Sequence, residues 1–269
     1  MSQTNSTPSP SRYALVTGAS SGIGLAIAKQ LAEKGISLAI TARREERLRA
    51  LQEKLELSHN IRVDIFPADL AKAGAAQALY EAVTAVQNID ILVNNAGMAI
   101  GPMMVKSKLA KQEAFLELTV RAPTTLTHLC LPHMQQQGWG RIMNISSVMA
   151  LSSGGKGNTL YPAGKAYLLK MSQSLNAEMR PFGIHVSAVL PGVVATDFQA
   201  SNGGQPVKNT PMTQTPDFVA MKAITGNEKG HEIILPSWPT KIMAMFMRYC
   251  PEYIMRKLTR PMAEKYYSE

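Results

Sequence analysis

Tyr13-Ala14-Leu15-Val16-Thr17-Gly18-Ala19-Ser20-Ser21-Gly22-Ile23-Gly24 is the stretch on which the fold depends. A short apolar run leads into a glycine-rich turn, and the helix-forming residues from Leu25 to Lys34 follow it, which reads as strand, tight turn and helix. Glycines let backbone approach a pyrophosphate closely, and a helix N-terminus offers unpaired amides and the positive end of its dipole. Gly18, Ser20, Ser21, Gly22, Ile23 and Gly24 are therefore candidate phosphate contacts. Their spacing is Gly-x-x-x-Gly-x-Gly, which differs from the Gly-x-Gly-x-x-Gly fingerprint of other dinucleotide sites. With no ligand to hold, the same residues would form only a tight loop.

Working outward, apolar runs near 37–41, 62–68, 89–94, 140–146, 185–190 and 232–235 alternate with helical patterns. That alternation predicts an α/β fold, a doubly wound parallel sheet covered on both faces. The near-continuous apolar run Ile89-Asp90-Ile91-Leu92-Val93 suits a strand buried on both sides. The chain of 269 residues is read as one domain over 12–236, with a disordered tail over 1–11 and a basic, amphipathic C-terminal helical extension over 237–269. Within it, 198–214 is rich in Gly, Asn, Gln, Thr and Pro and is expected to form a mobile loop over the site. Thr215 is the expected cap of the helix that follows.

No apolar run is long enough to span a bilayer, and the first eleven residues are unlike a signal peptide. Cys130 and Cys250 stand far apart, so a disulfide framework is not expected and a cytoplasmic setting fits. His59, His128, His133, His185 and His231 lack metal-ligand spacing, and no metal is expected. A net charge of +9 suits attraction of a phosphate-rich molecule. The basic residues are scattered and aromatics are few, so nucleic-acid binding is not expected.

Tyr161 and Lys165 stand four residues apart in Tyr161-Pro162-Ala163-Gly164-Lys165, close to one helical turn, so both project from one face. An ammonium there can lower the pKa of a phenol, which turns a tyrosine into an acid or base. The spacing alone also suits an ordinary solvated face.

Its context is more specific. The glycine stretch 17–24, Asn94-Asn95-Ala96-Gly97, the serines of Asn144-Ile145-Ser146-Ser147-Val148, the pair Tyr161 and Lys165, and Pro191-Gly192-Val193-Val194-Ala195-Thr196 occur in that order. Together they resemble the short-chain dehydrogenase/reductase family over about residues 12–200. The resemblance implies a Rossmann-like fold and an NADP(H)- or NAD(H)-dependent oxidoreductase.

Carried over residue by residue, it makes Ser147 the hydrogen-bond donor to a substrate carbonyl, Tyr161 the proton donor, and Lys165 the group that binds the nicotinamide ribose and assists Tyr161. Ser146 would only close the strand end. Asp69 and Leu70 fall where the family contacts adenine, although Asp69 could equally cap a helix opening at Ala71. Asn95, Ala96 and Gly97 would approach the adenine ribose, Pro191 and Gly192 would cover the nicotinamide, and Val194 and Thr196 would hold its carboxamide.

One position departs from the family pattern. Thr119 stands where an Asn is usual, whose backbone carbonyl holds a water of the proton relay. A threonine is shorter and can bond its own helix backbone, which would alter that geometry.

NADP(H) is the expected cofactor. At the end of the second strand, where an acid would accept from the ribose of NAD, stands Ala42, and Arg43 follows with a guanidinium suited to a phosphate. Arg44 is read as the charged start of the next helix. The expected reaction is reduction of a carbonyl on an apolar small molecule, or oxidation of the alcohol. The alternative is a low-turnover NADP(H)-binding protein with a partner- or membrane-binding tail. Ile242, Met243, Met245, Phe246, Met247, Ile254, Met255 and Leu258 are interleaved there with Lys241, Arg248, Arg256, Lys257 and Arg260. That tail can pack over the pocket or a partner subunit, or make peripheral contact with an anionic membrane. Family resemblance also suggests a homodimer or homotetramer through helices over 115–135 and 161–180.

Overall fold

Short, mostly apolar runs build the sheet in the computed structural model, which describes residues 12–99, 104–152, 159–196, 210, 212–251 and 253–254. Its strands are β1 (Tyr13–Thr17), β2 (Ser37–Thr41), β3 (Val63–Ile65), β4 (Ile91–Asn94), β5 (Gly140–Ile145), β6 (Ile184–Val189) and β7 (Ile233–Ile234). All pair in parallel, in the order β3-β2-β1-β4-β5-β6-β7. The eight α-helices described are α1 (Gly22–Glu33), α2 (Glu45–Ser58), α3 (Ala75–Thr84), α4 (Leu109–Leu116), α5 (Ala122–Gln136), α6 (Leu160–Met179), α7 (Pro216–Glu228) and α8 (Trp238–Tyr249).

Alternate residues of each strand feed two different cores. Ala14, Val16, Leu38, Ile40, Ile91 and Val93 pack with the apolar stripes of α1, α2 and α7. Tyr13, Leu15, Ala39, Leu92 and Ile142 point the other way, onto α3 and α5. Both faces are therefore covered, which is why these strands read as continuous apolar runs and not as apolar-polar alternation. The expected doubly wound single domain with a C-terminal helix is the architecture found.

Several boundaries moved. β3 and β7 are shorter than the apolar runs that predicted them, but Phe66 and Ala68 still donate to Ile40 and Ala42, and Leu190 to Ile234. The helix anticipated at Ala71 starts only at Ala75, behind a left-handed Gly74 with φ of 77°. Asp69 is therefore not its cap, and its carboxylate accepts from the Ala71 amide at 3.2 Å in a local turn. Thr215 caps α7 as expected, accepting from Phe218 N at 3.2 Å. α4 and α5 are joined by a π-helical turn over Glu117–Arg121, where Ala122 N reaches back to Glu117 O. The tail over 1–11, residues 198–209 and 211 of the loop, and 255–269 with Met255, Arg256, Lys257, Leu258 and Arg260 lie outside the described residues.

Candidate active site

Because every strand runs the same way, the turns after β1, β2, β3, β4, β5 and β6 all open on one edge of the sheet. β2 and β3 lie on one side of β1 while β4 lies on the other. Chain direction across the sheet thus reverses between β1 and β4, and such a switch point leaves a crevice outside the strand ends.

The glycine stretch forms one wall of that crevice. Gly18 has φ of 67°, and a Cβ on it would stand 2.8 Å from Asn95 Nδ2, so no other residue fits without displacement. Thr17 clamps the turn to β4: its hydroxyl donates to Val93 O at 3.1 Å and accepts from the amides of Asn95 and Ala96 at 2.9 and 3.0 Å. Asn95 returns the clamp by donating to Thr17 O at 2.9 Å and Gly18 O at 3.2 Å. Below it, Asn94 donates to Asn144 and Thr127, and Asn144 donates to Ser172, a buried chain tying β4 and β5 to α5 and α6. Thr17, Asn94 and Asn144 were not singled out individually in the sequence. The available signal was a polar residue at or next to the last position of each of the three strands β1, β4 and β5.

At the start of α1, Ser21 makes no side-chain cap and the first turn carries no acid. The first amides there are suited to an anion. Gly22, with φ of 59°, lies beneath Thr196, whose Cγ2 would be 3.1 Å from an added Cβ. Arg43 and Arg44 are both exposed, and no carboxylate stands at Ala42 or Arg43, directly after β2. Arg44 does more than start α2, since its guanidinium donates to Ser20 Oγ at 3.3 Å. This donor set, two cations and an uncapped helix, fits a dinucleotide carrying an extra phosphate. Leu70 spends its side chain in the core under α3, leaving only backbone to face a ligand.

Around Tyr161 the two serines divide their roles. Ser146 is buried and donates its hydroxyl proton to Lys165 O at 2.7 Å. Ser147 instead accepts, from Met149 N at 3.2 Å, as the cap of the turn Val148–Leu151. Its own proton has no acceptor among the described residues, so it can be donated to an incoming oxygen. Motif position alone separated these serines in the sequence; in the structure their hydrogen bonds differ.

Lys165 is buried, donates to Ile145 O at 2.8 Å, and has its pKa lowered to about 8 by desolvation. Its Nζ lies 5.8 Å from the centroid of the half-buried Tyr161 ring. Phe115 borders that ring on another side, 6.5 Å between centroids. Thr119 sits inside the π turn, against Gly164 of α6, and is 2% exposed. Its hydroxyl finds no partner, so it does not bond its own helix as its chemistry allowed, whereas nearby Thr124 does, to Val120 O at 2.7 Å.

After β6, Pro191 accepts from Val148 N at 3.0 Å, which ties the segment to the Ser147 turn. Val194 forms a bridge with Gln214. Gln214 is buried and donates to Ser237 Oγ at 2.7 Å and to Thr240. A Cβ on Gly192 would lie 3.0 Å from Thr240 Oγ1 and 3.7 Å from Met243 Cε. The N-terminus of α8 is thus pinned beside the glycine turn after β6, a contact between distant segments that the sequence did not disclose. Among the described residues no cluster of His, Cys, Asp or Glu has metal-holding geometry, and no helix is long and apolar enough to cross a membrane.

Residues 12–206 match the family model described as short chain dehydrogenase. A 3-oxoacyl-(acyl-carrier-protein) reductase of Aquifex aeolicus is 34% identical over 190 residues, which cover 70% of this chain and 76% of that protein. A short-chain dehydrogenase from Sphingobium yanoikuyae, solved in complex with NADPH, superposes with a TM-score of 0.79 at 32% identity, covering 87% of this chain and 92% of that one. The bulky-bulky ketone specific alcohol dehydrogenase from Comamonas testosteroni superposes with a TM-score of 0.74 at 28% identity, covering 89% of this chain and 99% of that one.

Proposed function

The chain belongs to the short-chain dehydrogenase family, and we propose that it is an NADP(H)-dependent oxidoreductase that reduces the carbonyl of an apolar small molecule or oxidises the corresponding alcohol. The observation that carries this reading is the allocation of protons at the site. Ser146 has given its proton away, Ser147 has kept its own, and a buried Lys165 lies beside Tyr161.

NADP(H), when bound, supplies or accepts the hydride. Gly18, Ser20, Ser21, Gly22, Ile23 and Gly24 would hold its pyrophosphate at the N-terminus of α1, and Arg43 its additional phosphate, with Arg44 and Ser20 as a second contact. Asp69, Leu70, Asn95, Ala96 and Gly97 border the adenosine end, while Pro191, Gly192, Val194 and Thr196 border the nicotinamide end. The NADPH complex of the Sphingobium relative supports the choice of cofactor.

Ser147 donates to the substrate oxygen and stabilises the negative charge that develops on it. Tyr161 gives that oxygen its proton. The Lys165 cation favours the tyrosinate that remains, since an opposite charge nearby stabilises the ionised phenol. Thr119 then lies on the path by which Tyr161 regains a proton: its unpartnered hydroxyl, buried at a π turn, can hold a water there. An apolar substrate is supported by Val193 and Met212, both exposed beside the Gln214 bridge, and by the bulky ketones named for the Comamonas relative.

The proposed assembly is a homodimer or homotetramer through α5 and α6, and the proposed setting is cytoplasmic. A low-turnover binding protein is the disfavoured reading, because Ser147, Tyr161 and Lys165 are all present and Lys165 Nζ lies 5.8 Å from the Tyr161 ring centroid. The test is oxidation of NADPH and NADH against a panel of aliphatic, terpenoid, steroid and aromatic carbonyls. Faster turnover with NADPH is expected, with Tyr161→Phe losing about 100- to 10,000-fold in rate, the span of general acid catalysis, while NADPH still binds. Undiminished turnover by Tyr161→Phe would remove Tyr161 as the acid, and a preference for NADH would remove Arg43 as its phosphate contact.

A further inference from the structure

α8 is amphipathic in the reverse of the usual sense. At about 100° per residue, Trp238, Ile242, Met245, Phe246 and Tyr249 fall within one narrow arc of the helix. All five are exposed, Trp238 at 72% and Tyr249 at 74%. The opposite arc holds Thr240 and Ala244, both buried against the body of the protein. An ordinary surface helix buries its apolar arc and shows its polar one. The outward strip continues past the end of the helix in Tyr253 and Ile254, which are also exposed.

The charge beside this strip has one sign. Lys241 and Arg248 are exposed along one edge of the arc, and α8 carries no acidic residue. From Trp238 to Glu269 the chain has six basic residues against three acidic ones. Trp and Tyr beside Lys and Arg is the composition of a helix lying in a membrane interface, its rings at headgroup depth and its cations on anionic lipid. A second copy of this chain suits the strip less well, since it would bring the same cations with no acid on α8 to meet them.

We infer that the outer face of α8 docks the protein on an anionic lipid surface. The attachment is peripheral, through a helix that lies along the surface. Docking there sets the membrane next to the site, because Gln214, Ser237 and Thr240 pin the other face of α8 beside Gly192. The docking face stands on its own observations and does not depend on the reductase assignment.

The experiment is co-sedimentation of the full-length protein with vesicles of phosphatidylcholine alone or mixed with phosphatidylserine, at low and high salt, with Trp238 emission recorded in parallel in the Trp139→Phe variant, since the chain has two tryptophans. Binding is expected to the mixed vesicles, to weaken with salt, and to shift Trp238 emission to the blue. Lys241→Gln with Arg248→Gln should weaken it by roughly fivefold per cation removed. Ile242→Ser with Phe246→Ser should abolish it while NADPH binding, measured by fluorescence, is kept. Equal binding to neutral vesicles, or none to either, overturns the proposal. So does a dimer in analytical ultracentrifugation that the serine variant dissociates, which would give the strip to a second copy. Should the serine variant misfold, the charge variant and the Trp238 emission decide between these outcomes.

Discussion

Beneath the glycine turn, Thr17, Asn94, Asn95, Asn144 and Ser172 are buried or half-buried and each has its hydrogen-bond partners. Around Tyr161, by contrast, Thr119 has an orphaned hydroxyl and Lys165 is an ammonium held out of water by a single described acceptor. The first region holds a turn in place, and satisfied polar groups in a low dielectric do that well. The second carries a cost in the resting protein, which suits the proton movement proposed for it. On that proposal, fold stability and chemistry are drawn from different polar groups.

The contrast breaks first, and with the largest effect, at Thr17. Thr17→Val keeps shape but strips two amides and a carbonyl of their partner, at a cost of about 3 kcal/mol if each lost bond counts about 1 kcal/mol. A fall in Tm by calorimetry, together with weaker NADPH binding, is expected; an unchanged Tm would mean the clamp does not hold the turn.

Lys165→Met should act in the opposite direction. Burial lowers the Lys165 pKa from 10.5 to about 8, so between those values the unfolded chain binds the proton that the folded one has lost. Stability therefore rises with pH across that window, and the penalty of the buried cation is fully present below about pH 8. Lys165→Met should stabilise the protein by about 1 kcal/mol near pH 7, lose that advantage as pH approaches 10.5, and be nearly inactive. Denaturant midpoints measured across that range check it, and a variant less stable than the parent at pH 7 would show that the bond to Ile145 O outweighs desolvation.

The smallest effect belongs to Thr119. Thr119→Val removes an unpaired hydroxyl at equal volume, so stability should stay within about 0.5 kcal/mol. Turnover is expected to fall severalfold, with a changed pH profile, if the hydroxyl holds a relay water. Thr119→Asn tests the same position from the other side, and pH-rate curves identical for all three proteins would remove Thr119 from the proton path.

Much of the glycine-turn wall was legible because its signals are local. Gly18 and Gly22 stand where the chain needs positive φ, Arg43 stands two residues after the end of β2, and Tyr161 and Lys165 are one helical turn apart. Less was legible wherever a role depends on a partner far along the chain. Arg44 seemed to belong to α2 alone, yet it reaches Ser20 across 24 residues. Asp69 was weighed as a helix cap, but Gly74 delays α3 and leaves Asp69 in a turn. The interruption at Thr119 has no period of its own, since the apolar pattern runs through α4 and α5 without a Gly, and the Pro123 that follows sits in the first turn of α5.

By itself the sequence determined the α/β class, the glycine turn and the residues proposed as reactive groups, because apolar runs, glycine conformation and side-chain chemistry are properties of a residue and its near neighbours. Only the tertiary structure decided which serine keeps its proton, that Lys165 lies buried, and that α8 turns an apolar face outward. Each of these follows from what packs against a side chain, and burial and hydrogen-bond partners come from segments far away in sequence.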